Sequence, residues 1–246
     1  TRSFSVYTKN ETDNKWRVLT VDIDELISKK SHDLPEEKQT DKLPDYIQKC
    51  LDENFSEDKT GTIVSWNKCD RMTWKTEEAL TNNLSWRVSM SYWRNIKSGL
   101  KISILGNLLS PIDPLFIDEG CEHVESCGSN TLQAISYPSW KWAFKVKSEG
   151  KEEVVEAEVR MSRFPRHFGS KDANEAPKFK NRSIRQKIMS EHNGLLFYRQ
   201  GRFIDCMRHI PAEAKKSRGF QNYDSNYKIE INFPSSLDEA FGIATN

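Results

Sequence analysis

Short stretches of alternating apolar and polar residues predict β-strands along much of the chain, because successive side chains on a strand point to opposite faces. Residues 4–6 and 16–23 alternate in this way around a polar turn at residues 10–14, and residues 61–66 form a third β-rich segment. The polar residues 28–43 interrupt the pattern. We expect them to form a disordered or loop section.

A period of four predicts one long helix, which begins with Thr73 as its N-cap and stops at Gly99. Its apolar stripe should pack in the core; the members are Leu80, Leu84, Val88, Tyr92 and Ile96. After the helix, residues 100–104, in which apolar and polar side chains alternate, and the apolar residues 108–109 flank Gly106-Asn107, which predicts a hairpin turn at these two residues.

Residues 140–161 carry two alternating stretches on either side of residues 148–150 and predict a second hairpin. Pairing Val146 with Val155 would place Lys145 opposite Glu156, a favourable cross-strand contact. Trp140 and Trp142 fall on the apolar face of this hairpin. We expect both rings to be buried, and a base-stacking platform is the alternative interpretation.

The last part of the chain predicts three more strands and a brief helix. Residues 195–198 and 202–204 bracket a tight turn at Gln200-Gly201, and residues 227–233 form the final strand. Ser236 with Glu239 is a capping box that would open a helix over residues 237–241. Strands outnumber helices, so the predicted fold class is α+β.

Composition agrees with a globular protein. The chain has 246 residues, a formal net charge of +1 and 11% aromatic residues, which fits one large domain or two small ones. No apolar run approaches the roughly 20 residues that span a bilayer, so we expect no membrane segment. Five scattered cysteines indicate a reduced, intracellular protein rather than a disulfide framework.

The sequence lacks the motifs that identify several classes of enzyme. No two of the eleven glycines lie within six residues of each other, which excludes a dinucleotide-binding loop and a P-loop. Neither a zinc-binding H-E-x-x-H nor a nucleophile elbow G-x-S-x-G occurs. Cys121, His123 and Cys127 have a spacing unlike zinc pairs, and we expect a plain loop there. We therefore predict no catalytic residues and no metal site.

The charge is distributed unevenly. Residues 160–218 hold 15 Lys or Arg against 5 Asp or Glu. Such a block is either a solvated loop or a surface that contacts nucleic acid and gains from counterion release. The candidates for contact with nucleic acid are Lys178, Lys180, Arg182, Arg185 and Lys187.

Four collinear segments between about residue 60 and residue 246 resemble the back half of GHKL-type ATPases, above all the MORC and bacterial MORC-like branch. Gly61-Thr62-Ile63-Val64 is similar to the start of the last strand of their ATP-binding domain, and LSWRVSMSYWRNIKSGLKISIL (84–105) to the helix and strand that follow. NGLLFYRQGRFI (193–204) resembles the hairpin of their transducer domain. IEINFPSSLDEAFGIATN (229–246) resembles the strand and short helix before an Asn-Lys-Gln motif.

The resemblance implies a mixed-sheet remnant of a Bergerat ATP-binding fold over residues 1–67 and a βαβ-type transducer domain over residues 68–246. Gly61 and Thr62 would lie at the edge of the ATP site, although Thr62 also suits an ordinary strand. Arg199, Gly201 and Arg202 would define the transducer hairpin, and a solvated turn pair is the alternative for the two arginines. The intact protein would use ATP and Mg²⁺.

The resemblance also implies partners: a homodimer, DNA and an upstream ATP-binding region. The location would be cytoplasmic in a bacterium or nuclear in a eukaryote. The family's Mg-binding Asn, its Asp-x-Gly-x-Gly and its glycine-rich lid precede the Gly-Thr pair, whereas the 60 residues before Gly61 contain no glycine. The sequence stops at Asn246, where the family places a lysine that reaches the γ-phosphate. We therefore expect a relay module that is inactive alone.

Two other classes of function remain open at this point. The chain could be a stand-alone nucleic-acid-binding protein that works through residues 160–218. It could also be an enzyme with its own chemistry, although no nucleophile, base or metal set converges in the sequence.

Overall fold

A computed structural model describes residues 2–30, 33–54, 60–121, 134–148, 151–164, 187–188, 191–210, 218–219, 224 and 226–243. The chain divides into two units, residues 1–80 and 81–246, while the sequence placed a boundary after residue 67. Helices and strands, antiparallel and mixed, make the chain α+β as predicted. Among the described residues, no helix is both long and apolar enough to cross a membrane.

Unit 1 is built on an antiparallel sheet of four strands in the order β3-β2-β1-β4. Its elements are β1 (Ser3–Lys9), β2 (Trp16–Asp22), α1 (Ile23–Lys29), β3 (Lys38–Thr40), α2 (Asp45–Asn54) and β4 (Gly61–Asn67). Tyr7 of β1 packs with Leu43 and with Ile47 of α2 in the core of this unit. The three strands predicted at residues 4–6, 16–23 and 61–66 are confirmed.

The loop predicted over residues 28–43 is wrong at two places. Helix α1 runs to Lys29, and strand β3 pairs with β2. Helix α1 begins at Ile23 rather than continuing the strand because the Asp22 side chain accepts hydrogen bonds from the backbone N–H groups of Asp24 and Glu25 at 3.0 and 3.3 Å. The cap therefore converts the end of a strand into the start of a helix.

Unit 2 contains a mixed sheet of six strands in the order β11-β10-β14-β9-β7, with β8 also paired to β9. The strands of unit 2, in this sheet and in two short hairpins, are β5 (Ser103–Ile104), β6 (Asn107–Leu108), β7 (Ile135–Ser136), β8 (Trp140–Ser148), β9 (Lys151–Arg163), β10 (Leu195–Arg199), β11 (Arg202–Met207), β12 (His209–Ile210), β13 (Arg218–Gly219) and β14 (Tyr227–Phe233). Strands β10 and β14 are parallel, and β14 lies between β10 and β9. The predicted strands at residues 195–198, 202–204 and 227–233 are confirmed.

The β8–β9 hairpin is confirmed, but its predicted register is wrong. Val146 pairs with Glu153 rather than Val155, and Phe144 pairs with Val155. Ser148 pairs with Lys151, so two residues join the strands, and two-residue connections match the twist of a hairpin best. The shift by two residues leaves each side chain on its predicted face.

The helical segment also differs from its prediction. It consists of α3 (Glu77–Ser91) and α4 (Trp93–Lys97), and Thr76 rather than Thr73 caps it, since its hydroxyl accepts from the Ala79 N–H at 3.2 Å. The buried apolar side chains are Trp86, Met90 and Trp93, whereas the predicted stripe from Leu80 to Ile96 is only half-buried. A step of four residues rotates by about 400° around the helix axis, which is more than one full turn, so a stripe with a constant step of four winds around the helix. Alternating steps of four and three keep the side chains on one face.

Two smaller predictions need correction. The turn of the β5–β6 hairpin is Leu105-Gly106, with φ angles of 50° and 75°, rather than Gly106-Asn107. After Pro234 the chain forms a 3-10 helix, Ser235–Leu237, followed by turns, and no side chain caps it. The predicted capping box and helix over residues 237–241 are therefore wrong.

The prediction that Trp140 and Trp142 are buried is wrong. They are 48% and 51% exposed, although their neighbour Phe144 packs on the core formed around Val159 and Phe233. Both tryptophans lie on β8, whose only strand partner among the described residues is β9, so the core cannot surround them.

Candidate functional site

The turn between β10 and β11 contacts the chain at the end of β14. The backbone N–H of Gln200 donates to the carbonyl of Phe233 at 2.9 Å, and its side-chain amide donates to the hydroxyl of Ser235 at 3.3 Å. The backbone N–H of Gly201 donates to Oδ1 of Asn232 at 2.9 Å. Three hydrogen bonds therefore tie this turn to the end of β14 and to the residues that follow it.

A bidentate ion pair between Arg199 and Asp238, the Arg199–Asp238 junction, also joins this turn to the residues after β14. Arg199 Nε and Nη2 each lie 2.6 Å from a carboxylate oxygen of Asp238, which is mostly buried. The hydrogen bond from Arg199 lowers the pKa of Asp238, and the same bond raises the pKa of Arg199. Two parallel charge-assisted bonds fix orientation as well as distance, so the turn and the segment 234–238 are held as one piece.

Gly201 places the turn directly against helix α4. Its φ is 79°, and a Cβ at this position would lie 3.2 Å from Cβ of Arg94 and 3.3 Å from Oδ1 of Asn95. Only glycine combines this conformation with such a close approach. Arg202 lies beside the same helix, with its guanidinium 5.7 Å from the centre of the Tyr92 ring.

Beneath the turn, Glu230 of β14 holds a buried charge network together. Its fully buried carboxylate accepts hydrogen bonds from Arg94 Nε at 3.0 Å, Trp93 Nε1 at 3.3 Å and Arg160 Nη1 at 3.4 Å. Burial raises the pKa of Glu230, while Arg94 opposes the shift. Arg94 also pairs with Glu158 at 2.9 Å, so one guanidinium bridges carboxylates on two neighbouring strands.

Asp113 is the second buried carboxylate of the network. It accepts backbone hydrogen bonds from Leu115 at 3.0 Å, Ile117 at 3.1 Å and Asp118 at 2.9 Å, and Arg160 Nη2 lies 3.4 Å away. Burial raises the pKa of Asp113, and Arg160 opposes this most strongly. Because both carboxylates are saturated with donors, the network serves to hold geometry and offers no free acid or base.

A cavity of about 320 Å³ opens beside the turn. Its lining residues are Lys141, Glu156, Glu158, Gln200, Asn232, Phe233 and Pro234. None of these carries a hydroxyl or thiol, and Lys141 is paired with Glu156 at 2.7 Å, which raises the pKa of the lysine. In the part of the chain that the structure describes, no group of three His, Cys, Asp or Glu side chains could hold a metal ion.

The chain matches no protein-family model, no curated protein and no solved structure. Of the residues singled out from the sequence, the structure brings Arg199, Gly201 and Arg202 together at one turn. Arg199 is bonded to Asp238 and Arg202 lies beside Tyr92, so the two arginines contact different elements.

Gly61 and Thr62 lie in unit 1, at the exposed start of the edge strand β4. The Thr62 hydroxyl shares a hydrogen bond of 3.1 Å with the hydroxyl of Thr8, directly across the pair of strands. This contact is an ordinary cross-strand pair.

The predicted nucleic-acid candidates Lys178, Lys180, Arg182 and Arg185 lie outside the described residues. Lys187 is described, and its Nζ lies 5.1 Å from the centre of the Trp86 ring. Within the proposed plain loop, Cys121 is buried, which raises its pKa to about 11, while His123 and Cys127 also lie outside the described residues. Cys69, Cys121 and Cys206 are free thiols.

Sequence reasoning missed the partners of the turn, namely Asn232, Asp238 and Glu230. The strand YKIEINF alternates polar and apolar residues, which favours one solvated face, yet the face with Lys228 and Glu230 is buried. The signal in the sequence for a buried Glu230 was the presence of arginines elsewhere in unit 2 whose charge could neutralise a buried carboxylate.

Proposed function

We propose that this chain is the transducer and regulatory portion of a GHKL-type, MORC-like ATPase, which relays the nucleotide state to dimerisation or to downstream domains. One observation carries the proposal. The two C-terminal segments on which the resemblance depends, residues 193–204 and 229–246, are joined by the Arg199–Asp238 ion pair. A relay needs such a link, because a displacement at one segment must reach another element.

The chain's own residues supply a path for this relay. A shift of the segment after β14 would pull on Asp238 and Asn232, and through them on the turn that contains Gly201. The turn abuts Arg94 of α4, whose guanidinium is fixed by Glu230. Movement would therefore pass to α4 and the adjoining α3 as a rigid displacement, since packed contacts of this kind deform little.

Among the described residues, Gly61 and Thr62, which the resemblance assigns to the edge of the ATP site, do not form a nucleotide site by themselves. Thr62 is the one residue that the resemblance assigns to the adenine side, and its exposed hydroxyl is bonded to Thr8 on the edge of a sheet. No glycine-rich phosphate loop occurs in the sequence. The ATP and Mg²⁺ that the resemblance implies would therefore be held by residues outside this chain, and no step of the relay is derived through them.

The test uses the complete polypeptide of the source reading frame. We expect that frame to encode an Asn and an Asp-x-Gly-x-Gly before this chain and a Lys-Gln after it. Arg199→Ala and Asp238→Ala should each lower kcat for ATP hydrolysis while leaving the Kd for ATP unchanged. The double variant should be no worse than either single variant, because both remove the same bond.

Arg2→Ala is the matched control, since Arg2 also forms an arginine–aspartate ion pair, with Asp24 at 2.6 Å, but belongs to unit 1 and not to the turn. It should hydrolyse ATP at the wild-type rate. A reading frame without the flanking motifs, or unchanged hydrolysis in the Arg199→Ala variant with intact folding, would refute the proposal.

A second candidate function rests on the charge of residues 160–218, with 15 basic against 5 acidic side chains. In this alternative the chain binds nucleic acid by itself through phosphate contacts. The observation is one of sequence, and a salt titration described in the Discussion tests it.

A further inference from the structure

Strand β8 has an open edge. Its nine residues pair with β9, and within the described residues no other strand pairs with β8. The short strand β7 pairs with the far end of β9, at Arg163 and Ser162, and so leaves β8 uncovered. The outer backbone N–H and C=O groups of an edge strand are a template for pairing with another extended segment.

The apolar face of this edge carries exposed aromatic surface. Trp140 and Trp142 are about half exposed, and the Trp142 ring lies 4.7 Å from that of Phe144. Phe144 in turn lies 5.4 Å from Phe241, which stacks on Phe233 at 4.1 Å. A continuous row of rings therefore runs from the core to the open edge, and half-exposed tryptophans are typical of binding surfaces.

The opposite face of β8 carries three exposed lysines, Lys141, Lys145 and Lys147. A second copy of β8 in an antiparallel pair would place lysines opposite lysines, and like charges directly opposite each other are destabilising. The lysines therefore disfavour association of the edge with itself. They favour an acidic partner strand.

Strand β9 illustrates which pattern complements β8. On its inner edge, Lys141 lies opposite Glu158 and Lys147 opposite Glu152, while Trp140 faces Val159 and Trp142 faces Ala157. Lys141 also forms an ion pair with Glu156 at 2.7 Å. Glutamates thus lie opposite two of the three lysines, and small apolar residues lie opposite both tryptophans, in the most extensive strand pair of the unit, while Lys145 lies opposite Val154 and Val146 opposite Glu153.

We propose that the outer edge of β8 docks an extended segment of a partner protein in which acidic residues alternate with apolar residues. The segment adds a strand to the sheet of unit 2. Main-chain hydrogen bonds hold it, its acidic side chains face the three lysines, and its apolar side chains cover Trp140 and Trp142. The proposal does not depend on the relay function, although Lys141 also lines the cavity beside the β10–β11 turn.

The probe is a fluorescein-labelled peptide with the sequence of residues 152–159, EEVVEAEV, titrated with the full chain and followed by fluorescence anisotropy. We expect saturable binding that weakens as salt is raised. A peptide of the same composition with the acidic residues grouped at one end should bind at least about tenfold more weakly, a difference of roughly 1.4 kcal/mol. Binding that does not saturate at about 1 mM peptide would overturn the proposal.

Two sets of variants test the lysine face and the tryptophan face of β8 separately. Lys145→Glu combined with Lys147→Glu, and separately Trp142→Ala, should each reduce affinity at least about tenfold, or 1.4 kcal/mol. Lys101→Glu is the matched control, because Lys101 is an exposed lysine outside β8, and it should bind as the wild type does. Thermal melts verify that the variants fold. Equal binding by the double lysine variant would refute the charge matching.

Backbone pairing has its own readout. Of two peptides N-methylated at alternate residues, one set blocks the N–H groups that face β8 and the other blocks those that face away. One peptide should lose binding and the other should keep it, whereas equal binding by both would refute strand addition. Preference for a labelled single-stranded oligonucleotide would assign the edge to nucleic acid instead, and concentration-dependent dimers abolished by Trp142→Ala would assign it to a second copy.

Discussion

Replacing Lys228 by methionine should stabilise the protein below about pH 7. Lys228 lies in β14, and its side chain is completely buried. Its Nζ donates to the backbone carbonyl of His192 at 2.8 Å and lies 6.0 Å from the centre of the Phe164 ring. Burial among these groups lowers the pKa of Lys228 from 10.5 to about 7, because the charged ammonium loses its hydration.

This depressed pKa sets both the size and the sign of the effect. One pKa unit corresponds to about 1.4 kcal/mol, so a fall from 10.5 to about 7 costs the folded state at most roughly 5 kcal/mol. The cost is complete below pH 7, where the folded and unfolded chains are both protonated. Between pH 7 and 10.5 the unfolded lysine binds more protons than the folded one, so stability rises with pH and the cost disappears.

Methionine is also unbranched and is one heavy atom shorter than lysine, but it cannot donate to His192, and an unpaired buried carbonyl costs about 1–3 kcal/mol. The expected gain for Lys228→Met at pH 6 is therefore about 2–4 kcal/mol in the free energy of unfolding, falling to zero or below by pH 10.5. Urea melts of wild type, Lys228→Met and the exposed control Lys101→Met at pH 6, 8 and 10 measure this. A destabilised variant at pH 6, or a difference from wild type that does not change with pH, would refute the reasoning.

Three further predictions concern the core, the nucleotide and the basic segment. Met90→Ala should cost about 2–5 kcal/mol in denaturant melts because it opens a cavity beside Trp86, and the half-buried Leu84→Ala should cost clearly less; equal losses would contradict the assignment of the buried face. Calorimetric titration of the chain alone with a non-hydrolysable ATP analogue and Mg²⁺ should show no micromolar binding, since the sequence has no phosphate loop. If residues 160–218 bind duplex DNA, anisotropy titrations between 50 and 200 mM salt should give a slope of about 0.9 per neutralised phosphate. A quadruple charge reversal to Glu should then nearly abolish binding without lowering the melting temperature, and unchanged binding would remove the nucleic-acid hypothesis; the positions are Lys178, Lys180, Arg182 and Arg185.

The alternation of residues predicted most of the strands because strand geometry is local. The hairpin of β8 and β9 was placed correctly, yet its register was not, because register depends on how many residues the connection uses. The helix was found as an element, but its buried face was not, since a repeat of four and a repeat of three and four differ only over several turns. Local pattern thus identifies elements better than it identifies contacts.

The junction of Arg199 and Asp238 could not be derived from spacing. The two residues are 39 positions apart, and only the parallel pairing of β10 with β14 brings them together. Glu230 and Lys228 were hidden for a related reason. A charged residue in an alternating strand indicates a solvated face, and the covering of that face by Trp93 and Phe164 is a property of the tertiary fold.

The position of β14 has a consequence for the order in which the protein is made. β14 follows the other strands of its sheet in the sequence but lies between β10 and β9. A nascent chain that has left the ribosome only as far as residue 226 therefore holds two half-sheets whose inner edges have no partner. Unit 1, whose strands all precede residue 68, can fold during synthesis, whereas the sheet of unit 2 closes only when its central strand arrives. Translation itself thus imposes a late, single closing step on this domain.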